Sequence, residues 1–168
     1  LNRLAAYAYP LRYLGWEGND GSSQAMQKVL ESTVELQEVY FSSFKNFSDS
    51  CLKALSLSTS SLRIVGLANQ QRVSPKAWND FFSSCKQLEH VWLSLSSGLT
   101  EQALSALGQH PLKTLHINFC PAVDDMMLKK LSVLPTLEDF NCALCDPIED
   151  DTILYLLGKG SALKFLNV

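Results

Sequence analysis

One spacing of apolar residues recurs seven times along this chain of 168 residues, and it decides what the chain can fold into. The unit is apolar-x-x-apolar-x-apolar. It runs Leu11-Leu14-Trp16, Leu36-Val39-Phe41, Leu62-Val65-Leu67, Leu88-Val91-Leu93, Leu112-Leu115-Ile117, Leu137-Phe140-Cys142 and Leu163-Leu166-Val168. The starts at 11, 36, 62, 88, 112, 137 and 163 are separated by 25, 26, 26, 24, 25 and 26 residues. A period held this closely marks a repeat architecture, in which one unit cannot bury its apolar face alone and must stack on its neighbours.

A second pattern lies inside each step. Ser22 precedes Met26 and Val29, Ser48 precedes Leu52 and Leu55, and Ser74 precedes Trp78, Phe81 and Phe82. Thr100 precedes Leu104 and Leu107, Asp124 precedes Leu128 and Leu131, and Glu149, a poorer cap, precedes Ile153 and Leu156. Ser, Thr and Asp oxygens accept hydrogen bonds from the orphan N–H groups of a first helical turn. Apolar residues three and four apart share one face of the helix that follows. Each unit is therefore predicted to be one short strand and one helix. That alternation gives α/β architecture, parallel strands and right-handed crossovers. Units that touch only their neighbours stack into a curved solenoid, a horseshoe with strands on its concave face and helices on its convex face.

The predicted domain is single and covers residues 1–168. Residues 1–9, with Leu1, Leu4 and Ala5, read as the helix of a truncated preceding repeat. The sequence starts on Leu1 rather than Met and stops at Val168, the last core position of a strand. The expectation is a piece of a longer chain. Further repeats, a flanking domain or an end-to-end dimer would cover Leu163, Leu166 and Val168, since open strand edges invite pairing.

These units resemble the leucine-rich-repeat family over essentially the whole chain. Phe119-Cys120-Pro121-Ala122-Val123-Asp124-Asp125, followed by Met127-Leu128-Lys129-Lys130-Leu131, is similar to the cysteine-containing repeat of the subtype found in F-box leucine-rich-repeat proteins. The Cys/Asn position of that repeat is filled by Asn19, Phe44, Gln70, Ser96, Cys120 and Cys145, so only three of the six match. The resemblance implies non-enzymatic recognition of a protein partner, in the form of a substrate receptor for a ubiquitin ligase. An alternative is a scaffold or assembly subunit of a larger complex, a mitochondrial one included. A GTPase-activating repeat protein fits less well, because that family's repeats are longer than the steps here.

Composition excludes other classes. Fourteen Lys+Arg against 17 Asp+Glu give a net charge of −3 with no basic block, which argues against a nucleic-acid partner. No apolar run approaches the roughly 18 residues of a membrane span. Five cysteines, an odd number without a dense framework, point to a reducing intracellular location, cytoplasmic or nuclear.

Cys142 and Cys145 have the spacing of a redox pair or half a zinc site, yet a structural zinc site needs four ligands and no second pair stands nearby. The repeat register instead puts Cys142 in the core and Cys145 on a buried turn above Cys120. No cofactor or metal is expected. His90 and His116 fall on adjacent strands without the company that acid–base chemistry needs. The run Ser56-Leu57-Ser58-Thr59-Ser60-Ser61 reads as a solvated loop, with phosphorylation as the functional alternative.

Reading across the units separates structure from recognition. The residue after the first strand leucine is Arg12, Gln37, Arg63, Glu89, Lys113, Glu138 and Lys164, alternating in sign from Arg63 onward. Parallel neighbours stand about 4.8 Å apart, so this column reads as a self-neutralising ladder. The next outward column is Tyr13, Glu38, Ile64, His90, Thr114, Asp139 and Phe165, and the one after it is Gly15, Tyr40, Gly66, Trp92, His116, Asn141 and Asn167. Tyr and Trp dominate binding hot spots, and exposed aromatic clusters mark partner surfaces. Tyr13, Tyr40, Ile64, His90, Trp92, His116 and Asp139 are the candidate partner-binding residues. Gly66, between Tyr40 and Trp92, is expected to leave a slot for an inserted side chain.

Overall fold

A computed structural model describes residues 10–18, 21–33, 35–131, 136–145, 148–159 and 162–168. Strands and helices alternate: β1 (Tyr13–Glu17), α1 (Ser23–Glu31), β2 (Glu38–Ser42), α2 (Asp49–Leu55), β3 (Ile64–Ala68), α3 (Pro75–Ser84) and β4 (His90–Trp92). Then come α4 (Glu101–Leu107), β5 (Thr114–His116), α5 (Asp125–Leu131), β6 (Asp139–Asn141), α6 (Asp150–Gly158) and β7 (Phe165–Asn167). The strands form one sheet in the order β1-β2-β3-β4-β5-β6-β7, every adjacent pair parallel. This open sheet with alternating helices is compatible with a solenoid. The helix expected over residues 1–9 lies outside the described residues, as does Asn19.

Strand side chains alternate between the two faces, so the second and third apolar positions of each unit share one face, and the first leucine, just before the strand, packs in the core with them. Leu36, Val39, Phe41, Leu62, Val65, Leu67, Leu88, Val91, Leu93, Leu112, Leu115 and Ile117 are all buried. The helices cover this face with their own apolar stripes: Met26 and Leu30, Leu52 and Leu55, Trp78 and Phe82, Leu104 and Leu107, Leu128 and Leu131. Trp78 stacks on Phe82 at 5.5 Å between centroids. Each such side chain contributes about 2–3 kcal/mol on burial, and the described core is one continuous cluster from Met26 to Leu156. Among the described residues, no helix packs on the opposite face of the sheet.

Most of the expected caps form. Ser22, Ser74 and Thr100 accept from the N–H groups of Ala25 (3.1 Å), Ala77 (3.2 Å) and Ala103 (3.4 Å), and Asp124 accepts from Met127 (2.8 Å). Ser48 differs. It stands at the start of α2 but makes no side-chain cap, because its hydroxyl hydrogen-bonds to Ser23 (2.5 Å) and Ser50 (3.0 Å) instead. Glu149 also leaves α6 without a side-chain cap.

The turn leaving each strand repeats in backbone as well as in sequence. Ser43, Asn69, Leu95, Phe119 and Leu144 all adopt left-handed φ values of 57–62°. The residue that follows is the Cys/Asn position. Gln70 donates to the Phe41 carbonyl at 3.2 Å, Ser96 to Leu67 at 3.4 Å, Cys120 to Leu93 at 3.3 Å and Cys145 to Ile117 at 3.1 Å. Four different side chains thus satisfy the same carbonyl, the last core residue of the preceding strand. Phe44 breaks this ladder and packs edge-on against Trp16 at 6.5 Å. Cys145 is only half-buried rather than buried as expected, because the described residues stack a turn on one side of it alone.

The serine-rich stretch is solvated only in part: Leu57 and Ser60 are exposed, but Ser58 is not. Ser56–Ser58 is a 3₁₀ turn, and Ser58 is fully buried with its hydroxyl donating to the Thr33 carbonyl at 2.7 Å. Ser61 likewise donates to Leu36 at 2.8 Å. These hydroxyls bond to carbonyls one repeat back, since a helix end turning into a strand leaves carbonyls that need donors. Ser58 is therefore out of reach of a modifying enzyme.

Candidate functional site

The sheet face without helices brings the predicted residues together. The register pairs Tyr13, Glu38, Ile64, His90, Thr114, Asp139 and Phe165 across successive strands. It pairs Gly15, Tyr40, Gly66, Trp92, His116, Asn141 and Asn167 in the next column. Both columns point away from the core because they fall between the buried apolar positions.

The rings touch in a chain. Tyr13 and Tyr40 lie 5.8 Å apart between centroids, and Tyr40 and Trp92 lie 6.0 Å apart. His90 stacks nearly parallel on Trp92 at 5.9 Å, and His116 meets Trp92 edge-on at 6.0 Å. Offset and edge-to-face contacts at these separations are attractive. The array ends on Asp139, whose carboxylate is 3.2 Å from His116 Nε2 without hydrogen-bonding geometry. His90 Nδ1 is held by the Thr114 hydroxyl at 3.0 Å. Ile64 sits half-buried in the row between Glu38 and His90.

Gly66 does not leave a slot. A Cβ built there would lie 2.7 Å from Tyr40 Cδ1, so the Tyr40 ring already covers the glycine. Gly15 is covered in the same way by the Tyr13 ring, 2.7 Å from the hydroxyl. The two glycines matter because their lack of a side chain lets the tyrosines lie across the sheet. The result is a lateral aromatic surface rather than a socket at Gly66. A cavity of about 470 Å³ opens instead beside the tyrosines, lined by Tyr13, Gly15, Trp16, Glu17, Tyr40 and Ser42. Of these lining residues, Glu17 and Ser42 are ones the column reading had not placed in a site. Their only sequence signal is their position one pleat beyond the aromatic column.

Electrostatics divide the face. Along its margin Glu89 binds both Arg63 (2.6 Å) and Lys113 (2.7 Å), and Glu138 binds Lys164 (2.7 Å). The expected ladder forms, but as a triad and a pair, with Lys113 turned to Glu89 rather than Glu138. Lys113 and then Arg63 hold the Glu89 carboxyl below the usual carboxylate range, and Lys164 does the same for Glu138. Burial, then the nearby Glu38 carboxylate and the Tyr13 phenol, push the Tyr40 phenol up.

The cysteines sit on the other side of the sheet. Burial pushes the thiols of Cys85 and Cys142 up to about 12 and that of Cys120 up to about 11. Such groups are thiols, not thiolates, at neutral pH. Among the described residues no three of His, Cys, Asp and Glu are grouped so that they could hold a metal ion. Among them too, no helix is long and apolar enough to cross a membrane.

No protein-family model matches this sequence, and no curated protein matches it significantly.

Proposed function

We propose that the chain is a non-enzymatic recognition module of the leucine-rich-repeat type, which binds a protein partner on the open face of its sheet. In this reading the sheet is the concave face of a horseshoe and the helices form its convex side. The observation that carries the proposal is the continuous ring array from Tyr13 through Tyr40 and Trp92 to His90 and His116. A sheet face needs no aromatic row for stability when its other face already holds the whole core. Rigid, amphipathic rings supply contact area at low entropic cost, which is what interfaces select. The resemblance to F-box leucine-rich-repeat proteins makes reception of a ubiquitin-ligase substrate the specific form of this proposal.

The test is affinity capture with the wild-type chain beside Tyr40→Ala/Trp92→Ala, identified by mass spectrometry. The recognition reading expects the variant to keep its circular dichroism and lose the partner. Identical capture by both proteins overturns it.

A further inference from the structure

The open face is neutralised along most of its length but not at the β1–β2 end. Glu89 is paired with Arg63 and Lys113 and Glu138 with Lys164, while Asp139 stands beside the His116 ring at 3.2 Å. Glu17 and Glu38 make no ion pair among the described residues. They flank the pair of the exposed Tyr13 and the half-buried Tyr40: Glu38 is the register partner of Tyr13, and Glu17 shares the cavity wall with both tyrosines. Arg12, at β1's margin, is exposed and makes no ion pair with either carboxylate. The tyrosine pair thus has an uncommitted carboxylate toward each end, Glu38 in the row of Tyr13 and Glu17 four residues further along β1, with a depression beside the rings.

We propose that this end of the sheet receives an arginine or lysine side chain from a basic segment of a protein partner. The charged head lies between Glu17 and Glu38 and against the ring faces of Tyr13 and Tyr40. A cation over an aromatic face is attracted by the ring quadrupole, and a guanidinium or ammonium brings the hydrogen-bond donors that two carboxylates lack. Charge complementarity selects the occupant: an acidic segment would meet two carboxylates and no paired cation, and a purely apolar one would bury both carboxylates unpaired. This deepens the recognition reading above and rests on it.

The test is a ¹⁵N NMR titration with the pentapeptide Gly-Gly-Arg-Gly-Gly, beside the same peptide carrying citrulline, a neutral near-isostere. The arginine peptide is expected to shift amides of Tyr13–Glu17 and Glu38–Ser42 and to bind less well as salt rises. Glu17→Gln/Glu38→Gln should weaken it about tenfold, two partly exposed ion pairs' worth. Both residues are on the surface, so the fold persists. Equal shifts with citrulline, shifts elsewhere, or none, overturn the proposal. Those results are separable from a failure of open-face recognition, which is read from the capture experiment. A partner lost in Tyr40→Ala/Trp92→Ala without any arginine response leaves the face a binding surface and removes basic chemistry from it.

Discussion

Replacing Gly66 with alanine should separate the recognition surface from the fold. Gly66 has no left-handed φ, so its backbone accepts alanine without strain. The added Cβ would stand 2.7 Å from Tyr40 Cδ1 and 3.4 Å from Cε1, inside van der Waals contact, and the Tyr40 ring must swing away. That movement breaks two ring contacts, to Tyr13 and to Trp92. Each is worth about 0.5–1.5 kcal/mol. Against this, alanine removes about 0.4–1 kcal/mol of unfolded-state freedom. The net cost is about 0–2.5 kcal/mol, small beside a core deletion. Urea denaturation should therefore show a modest change in midpoint, while near-ultraviolet circular dichroism loses its coupled Tyr/Trp signal and partner capture falls, as is expected for Tyr40→Ala/Trp92→Ala. Full retention of the aromatic signal and of capture would show that Tyr40 does not lie over Gly66, and the account of the ring array would fail.

Other consequences follow from the same geometry. Gln70→Ala should cost about 1–2 kcal/mol, because it strips the Phe41 and Ala68 carbonyls of a buried donor and leaves a void, offset in part by removal of the unpartnered Gln70 Oε1; no loss in chemical denaturation would contradict the ladder. Glu89→Gln should cost about 1 kcal/mol near neutral pH, held that low by solvent screening. Because Lys113 and Arg63 depress the Glu89 carboxyl, its contribution is full above the ordinary carboxylate range and fades as pH falls through the folded value. The gap between wild type and variant should close in acid, and a penalty unchanged at about pH 3 would be inconsistent with this. Cys85 and Cys142, buried and with thiols pushed up to about 12, should react with a disulfide reagent at about pH 8 far more slowly in the folded chain than in the unfolded one. Rapid modification without unfolding would refute their burial.

The columns were legible in the sequence because two periods lock them. A strand alternates sides every residue, and the repeat restores the register every 24–26 residues, so each outward residue has a fixed neighbour. Side-chain trajectories were not legible. Gly66 promised a gap only because the sequence does not say that a tyrosine one strand away lies across it. The ladder at Gln70, Ser96, Cys120 and Cys145 looked degenerate when read as residue names, yet all four supply an N–H, O–H or S–H donor to the same carbonyl. The left-handed turn before it gave no signal either. Glycine and asparagine favour that conformation, but Leu95, Phe119 and Leu144 occupy it, at about 1 kcal/mol or more each, because the stacked repeats impose it. Ser58 was misplaced for a similar reason, since a serine-rich run says nothing about which hydroxyl finds a buried carbonyl.

The central claim, that the open sheet face meets the partner, is tested most directly by site-specific photo-cross-linking. A benzoylphenylalanine at Tyr13 keeps an aromatic ring on the open face, and the same group at Lys53 reports from the exposed side of α2. The account predicts that the captured partner cross-links from position 13 and not from position 53; cross-linking from position 53 alone would place recognition on the helices and contradict it.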